Sequence, residues 1–303
     1  MTDLPLTLDV SLGVTINARH ARGRAARLGP VLDRILANHD YPPVLETLLA
    51  EALVLTALLG ALLKDPRGQL TIQAQTERGA VDLMVCDYMG GELRGYIRHD
   101  ADRLAELGPH PTLFALFGKG YLAITFDQPA TDERYQGIVP LEGEGLGQAA
   151  QSYFTQSEQI PSVVRLGVRK DAEGWVAGGL MFQHLPEGEE GRERLHTRLD
   201  HPEWPHVATL AGSVKADELT DRTLGLDELM WRLFHEEEEV RTLVPVALSK
   251  GCRCSPDYIA SVLARFPVEE QANMIGDDGL IRVDCEFCAT SFPIALENVV
   301  PSA

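Results

Sequence analysis

The sequence predicts an α+β protein with a mixed strand-and-helix N-terminal core, a helical linker and a small C-terminal zinc-binding domain. Three observations lead there. Strand-like and helix-like stretches are mixed without a regular βαβ alternation, which argues against a doubly wound sheet. Composition shifts at Leu185-Pro186 into a polar, glycine-bearing junction, Glu187-Gly-Glu-Glu-Gly191, which reads as a domain boundary. Four of the five cysteines fall in the C-terminal part, as Cys252-x-Cys254 and Cys285-x-x-Cys288. The expected division is therefore a core at residues 1–186, a linker at 187–244 and a zinc domain at 245–303.

Taken in order, Val10, Leu12, Val14 and Ile16 alternate as in a half-buried strand. His20, Arg22, Arg24 and Arg27 follow, a basic cluster read as a solvated loop with local ion pairs. Residues 45–63 are rich in Leu and Ala, with Pro42-Pro43 before them and Asp65-Pro66-Arg67-Gly68 after. Glu46 and Glu51 interrupt the apolar run, so a buried core helix is predicted rather than a membrane span. Strands are expected at 70–74, 81–86 and 93–97, and again at 122–126, 163–168 and 175–183. Gly118-Lys-Gly120 reads as a hairpin turn, since it lacks the rest of a phosphate loop. Residues 141–160 read as helical up to Pro161. Cys86, on an alternating strand, reads as a small buried hydrophobe.

In the linker, Leu226, Leu229, Met230, Leu233 and Phe234 recur at helical spacing, and the acidic run from Glu236 to Glu239 follows. A helix at 226–244 is expected to need a docking partner for its apolar stripe and to be marginal without one. The zinc domain is the expected partner over Leu229, Leu233 and Phe234. His184, His196, His201 and His206 surround the junction but lack tight metal-ligand spacing.

Two close cysteine pairs flanking a short folded segment match a tetrahedral zinc site with Cys252, Cys254, Cys285 and Cys288 as ligands. Ser255-Pro256 starts a helix between the pairs, and residues 280–284 lead as a strand into Cys285. The Cys-x-Cys turn is tighter than most structural zinc turns, and its sulfurs are close enough for a strained, reducible disulfide. Spacing alone therefore leaves open a purely structural zinc knuckle and a zinc site with a redox option.

The formal net charge is -18 and the pI about 4.9, so phosphate backbones repel the surface and nucleic acid is not an expected partner. The N-terminal residues show no basic n-region and no long apolar run. A cytosolic location, with reduced thiols and no membrane association, is the expectation.

The two cysteine pairs stand behind Leu-Met-Trp-Arg-Leu-Phe-His-Glu-Glu-Glu at residues 229–238, and this arrangement resembles the redox-regulated 33 kDa heat-shock chaperones of bacteria (heat-shock protein 33). Gly118-Lys-Gly-Tyr121, Arg134-Tyr-Gln-Gly-Ile138, Leu141-Glu-Gly143, Tyr153-Phe-Thr-Gln-Ser-Glu-Gln-Ile-Pro161 and Trp204-Pro-His-Val-Ala-Thr-Leu210 look like family segments in family order. The resemblance implies an ATP-independent holdase for unfolding client proteins, not an enzyme, that is inactive when reduced and bound to one zinc ion. It implies activation by disulfides at Cys252–Cys254 and Cys285–Cys288, with zinc release, linker unfolding and a homodimeric active form. Two other functions compete. A zinc-ribbon nucleic-acid binder is opposed by the acidic balance. A thiol oxidoreductase using Cys285-x-x-Cys288 would need a thioredoxin-like domain, in which that motif opens a helix after the first strand.

Overall fold

The computed structural model describes residues 7–76, 78–143, 145–185 and 202–299. The expected junction at 187–191, with His196 and His201, lies outside the described residues. In chain order the strands are β1 (Val10–Ile16), β2 (Ala21–Leu28), β3 (Gln69–Gln75), β4 (Val81–Met89), β5 (Glu92–His99), β6 (Tyr121–Gln128), β7 (Glu133–Pro140), β8 (Ser162–Asp171), β9 (Gly174–His184), β10 (Arg241–Thr242), β11 (Val246–Ala247), β12 (Ser249–Lys250), β13 (Leu280–Asp284) and β14 (Ser291–Ala295). The helices are α1 (Pro30–Leu36), α2 (Pro43–Gly60), α3 (Ala101–Ala105), α4 (Leu113–Phe117), α5 (Leu146–Tyr153), α6 (Trp204–Gly212), α7 (Ala216–Leu219), α8 (Leu226–Phe234), α9 (Pro256–Leu263) and α10 (Val268–Asn273).

Two sheets enclose α2. The first runs β10-β1-β2-β9-β8, with β11 also on β1; the second runs β12-β5-β4-β3-β6-β7. Helix α2 is apolar all round, which suits a helix with sheets on both sides. Leu45, Leu49, Leu53 and Leu58 are fully buried in the main core. The two carboxylates that interrupt its apolar run are tied down. Glu46 pairs with Lys170 at 3.2 Å, and Glu51 accepts the Leu146 N–H at 3.1 Å, capping α5 from outside. The apolar segment is thus a core helix, as the sequence predicts.

The expected basic loop is instead strand β2, antiparallel to β1 and β9. Small residues explain the difference. Phe182 packs so closely on Gly23 that a Cβ there would lie 2.6 Å from its ring. Arg24 reaches the Ala61 carbonyl at 3.2 Å and Arg22 the Gln183 amide oxygen at 3.2 Å, where ion pairs were expected. Gly118, at φ +58, closes α4 rather than a hairpin. The helix expected over 141–160 is α5 followed by a π-turn at Phe154–Glu158, which Gln159 ends in the left-handed region.

The larger correction concerns the linker. Helix α8 stops at Phe234, and the chain beyond it is stitched onto β1, with Thr242 opposite Val14 and Ala247 opposite Val10. The apolar stripe of α8 is covered by the outer face of the first sheet and not by the zinc domain. Leu226, Leu229, Met230 and Phe234 are buried against Val10, Leu12, Val14, Ile16, Leu180 and Phe182, and the Phe182 and Phe234 ring centroids lie 4.9 Å apart. Alternation makes this possible, because β1 turns its Val/Leu/Ile face away from α2 and needs a second cover.

Candidate metal centre and its anchors

The four C-terminal cysteines come from two local structures. Cys252 and Cys254 sit in the loop after β12, and Ser255 then starts α9 by accepting the Tyr258 N–H at 3.1 Å, with Pro256 at the first helical position. Cys285 and Cys288 occupy the turn joining β13 to β14. There the Ala289 N–H reaches the Cys285 carbonyl at 2.8 Å and the Cys285 N–H reaches the Thr290 carbonyl at 3.0 Å. Ala289 has φ +52, the left-handed conformation this tight turn demands.

The turns bring all four sulfurs within 4.8 Å of one another. Cys252 and Cys254 Sγ are 3.1 Å apart, Cys252 and Cys285 3.7 Å, Cys254 and Cys288 3.4 Å. A tetrahedral zinc with Zn–S bonds of about 2.3 Å has sulfur–sulfur edges of about 3.8 Å, so the donor set and its size both fit that ion. The thiols do not share one acidity. Burial and the neighbouring sulfurs push Cys254 up, and burial pushes Cys285 up. Burial also opposes ionisation of Cys288, but the Thr290 hydroxyl and N–H and the Cys254 and Cys285 thiols overcome it and bring Cys288 down to about 7. A thiolate is both the metal ligand and the nucleophile toward oxidants.

Cys86 stands apart, fully buried on β4 against α2, with its thiol pushed up by burial. Among the described residues His206 hydrogen-bonds Glu237 at 2.8 Å, and the His184 ring lies 5.9 Å from that of Trp204.

The residues enclosed by the cysteine pairs anchor the unit to the core. Arg253, inside Cys252-x-Cys254, donates to the Gln69 amide oxygen at 2.5 Å and pairs with Asp87 at 3.6 Å. Asp87 is buried and also receives Arg94 at 2.6 Å and the Thr71 hydroxyl at 2.7 Å. Phe287, inside Cys285-x-x-Cys288, meets Tyr96 edge-on at 4.9 Å, and the Arg94 guanidinium sits 3.9 Å from its ring centroid. Strand β12 adds parallel pairing to β5. Sequence reasoning passed over Arg253 and Phe287, although their position inside the pairs was the available signal.

A second set of anchors holds the linker. Arg27 projects from β2 and is completely buried. Its guanidinium donates to the main-chain carbonyls of Leu219 at 2.8 Å, Glu218 at 3.2 Å and Leu224. Desolvation lowers its pKa to about 10. Glu237 of the acidic run is 5 % exposed, paired with Arg19 at 2.8 Å and with His206, while Arg19 also meets Glu203. One member of the acidic run therefore serves as an anchor.

An α+β core that carries a helical strap on one sheet and, on the edge of the other, a four-thiol unit positioned to hold a metal ion defines the class of protein. Comparison with known proteins specifies the family. Residues 9–295 match the family model described as Hsp33 protein. The chain is 40% identical over 294 residues to the 33 kDa chaperonin of Caulobacter vibrioides, covering 94% of each. It is 37% identical over 276 residues to the 33 kDa chaperonin of Yersinia pestis, covering 91% of this chain and 88% of that protein. The fold matches the crystal structure of a 33 kDa chaperonin (heat shock protein 33 homolog) from Thermotoga maritima, with a TM-score of 0.76, 20% identity and 96% of both chains covered. The chain belongs to the Hsp33 family of chaperones.

Proposed function

We propose that this chain is a redox-regulated, ATP-independent holdase that keeps unfolding proteins from aggregating in the cytoplasm under oxidative stress. The convergence of Cys252, Cys254, Cys285 and Cys288 within 4.8 Å is the observation that carries the reading. In the reduced state these residues would hold one zinc ion, which would supply the folding energy that the small domain lacks. Oxidation removes the donors pairwise. Two thiolates pass two electrons to hydrogen peroxide, an S–S bond forms, the O–O bond breaks, and with two protons the peroxide leaves as two waters. The pairs Cys252–Cys254 and Cys285–Cys288 are those the family resemblance implies.

Each disulfide closes a tiny loop and leaves residues 255–284 untied, so it cannot replace the metal cross-link between the two turns. Opening of the cluster loosens Arg253 and Phe287 from the core, β12 from β5, and then the strand pairs and α8 that precede them. Release of α8 bares Leu12, Val14, Ile16 and Phe182, an apolar surface suited to unfolded chains and to dimerisation of the active form. Light scattering of a heat-unfolding client tests the proposal. Suppression is expected after peroxide treatment and not with reduced, zinc-loaded protein, and equal suppression by both forms would refute it.

A further inference from the structure

The second sheet has an outer face that α2 does not touch. Met84, Cys86, Leu93, Ile97, Leu122, Ile124 and Val139 point inward to the core, so alternation sends Leu83, Val85, Tyr96, Tyr121 and Ile138 outward. Tyr96 pairs across strands with Val85, and Ile138 is 56% exposed. At the β5 edge of this face sits the side chain of Phe287, half-buried, between the Tyr96 ring and the Arg94 guanidinium.

From this seat we infer that the Tyr96–Arg94 cradle binds an aromatic side chain of an unfolded polypeptide, and that Phe287 occupies it as an internal stand-in until the cysteine cluster opens. The inference rests on the redox reading above. Three observations support it. First, edge-to-face packing and a cation over a ring are contacts that any Phe, Tyr or Trp can make. Second, the sheet itself holds the cradle, because two hydrogen bonds to buried Asp87 of β4, at 2.8 and 2.6 Å, fix Arg94 on its strand. A preorganised site loses little on rebinding a ring. Third, Phe287 lies within the turn bounded by Cys285 and Cys288, so the chemistry that opens the cluster also moves the occupant. Unfolded chains expose the aromatic residues that folded chains bury, and the outward Leu83 and Val85 extend the seat for neighbouring apolar residues.

The test uses the full chain, reduced and peroxide-treated, with reduced and carboxymethylated α-lactalbumin as a permanently unfolded probe. Affinity is read by fluorescence anisotropy, and contact by photocrosslinking from Val85→p-benzoylphenylalanine. Oxidised wild type is expected to bind the probe and to crosslink to it through position 85, whereas the reduced form does neither. Tyr96→Ala is expected to weaken binding by the oxidised form roughly two- to tenfold, the range of one aromatic pair, while Tyr96→Phe binds as wild type. Tyr96→Leu, which keeps bulk and removes the ring, serves if the alanine variant fails to fold. Full binding by the Tyr96→Leu and Tyr96→Ala proteins, with wild-type oxidised protein active, would overturn the inference and leave the redox reading standing. Crosslinks only between copies of this chain would overturn it in favour of self-association. No gain in probe binding by the wild type on oxidation would remove the redox reading and the inference with it.

Discussion

Helix α2 buries Leu45, Leu49, Leu53 and Leu58 completely between two sheets, whereas among the described residues the C-terminal unit buries a small cluster, Ile259, Ala260, Leu263, Ile281 and Ile294, with a few half-buried apolar neighbours. The first region meets its entropy cost by burial. The second has too little apolar surface to do so, and its four sulfurs stand where a metal would make up the deficit. The linker lies between these regimes, with a well-packed apolar face on the first sheet but short helices and a few polar anchors. On the proposed mechanism, the contrast would let oxidation dismantle one end of the chain without threatening the other.

Zinc removal should give the largest effect. Structural zinc contributes on the order of 10–16 kcal/mol in small fingers. Chelation under reducing conditions is expected to abolish hydrogen-exchange protection in α9, α10 and β13–β14 while α2 keeps its own. Loss of protection in α2 as well would show that the two regions fold as one.

Next comes Phe234→Glu, which breaks the linker's contact with the core and leaves the metal site intact. The lost ring burial costs roughly 3–5 kcal/mol before the buried charge is counted. The variant is expected to suppress client aggregation when reduced, with zinc content unchanged. A disordered α8 by hydrogen exchange without any suppression would show that linker release is not the switch.

Leu53→Ala probes the opposite region. It should lower core stability by about 2–5 kcal/mol in urea titration and leave thiol reactivity and zinc content as they are.

Glu237→Gln should act more weakly, by at most about 1 kcal/mol, since its partners are half-exposed. Burial raises the Glu237 pKa, but hydrogen bonds from Arg19 and His206 outweigh it and set the carboxyl below its usual 4.5. A carboxylate depressed on folding stabilises above the unfolded value and loses that contribution as pH falls through the folded one. Linker protection in wild type should therefore decline below about pH 4.5, and the glutamine variant should lack that step.

Cys86→Ser is expected to have no effect on peroxide activation, measured by the same scattering assay. Failure to activate in a folded variant would mark Cys86 as a fifth switch thiol.

What could be read from the chain divides along the same line as the predictions. The cysteine unit was legible almost entirely, because its elements are local: Ser255-Pro256 marks a helix start, a strand runs into Cys285, and each pair is a single turn. The strands of the core were legible as periods but not as partners. Nothing local to residues 174–184 says that β9 lies between β2 and β8, or to residues 249–250 that β12 joins β5. Arg22, Arg24 and Arg27 misled because charge masked the small residues Ala21, Gly23 and Ala25, which let β2 pack tightly in mid-sheet. The docking of α8 on β1 and β2 rather than on the zinc domain could not be read from its stripe, since an apolar face specifies that it will be covered and not by what.

Arg27 has a further consequence. While the linker is docked, this guanidinium is wholly removed from water and held mostly by carbonyl dipoles, an arrangement that compensates a cation incompletely. In the proposed open state the same group would regain its hydration shell. Rehydration of Arg27 would thus be a counterweight offsetting part of the cost of baring Val14, Ile16 and Phe182, and would bring the docked and proposed open states closer in free energy than apolar area alone would set them. In that proposed state it would also place one positive charge beside Val10, at one end of the bared surface, in a protein whose net charge is -18. The surface proposed to meet an unfolded chain would therefore be greasy with a cationic point at one end, on a body that otherwise repels acidic polymers.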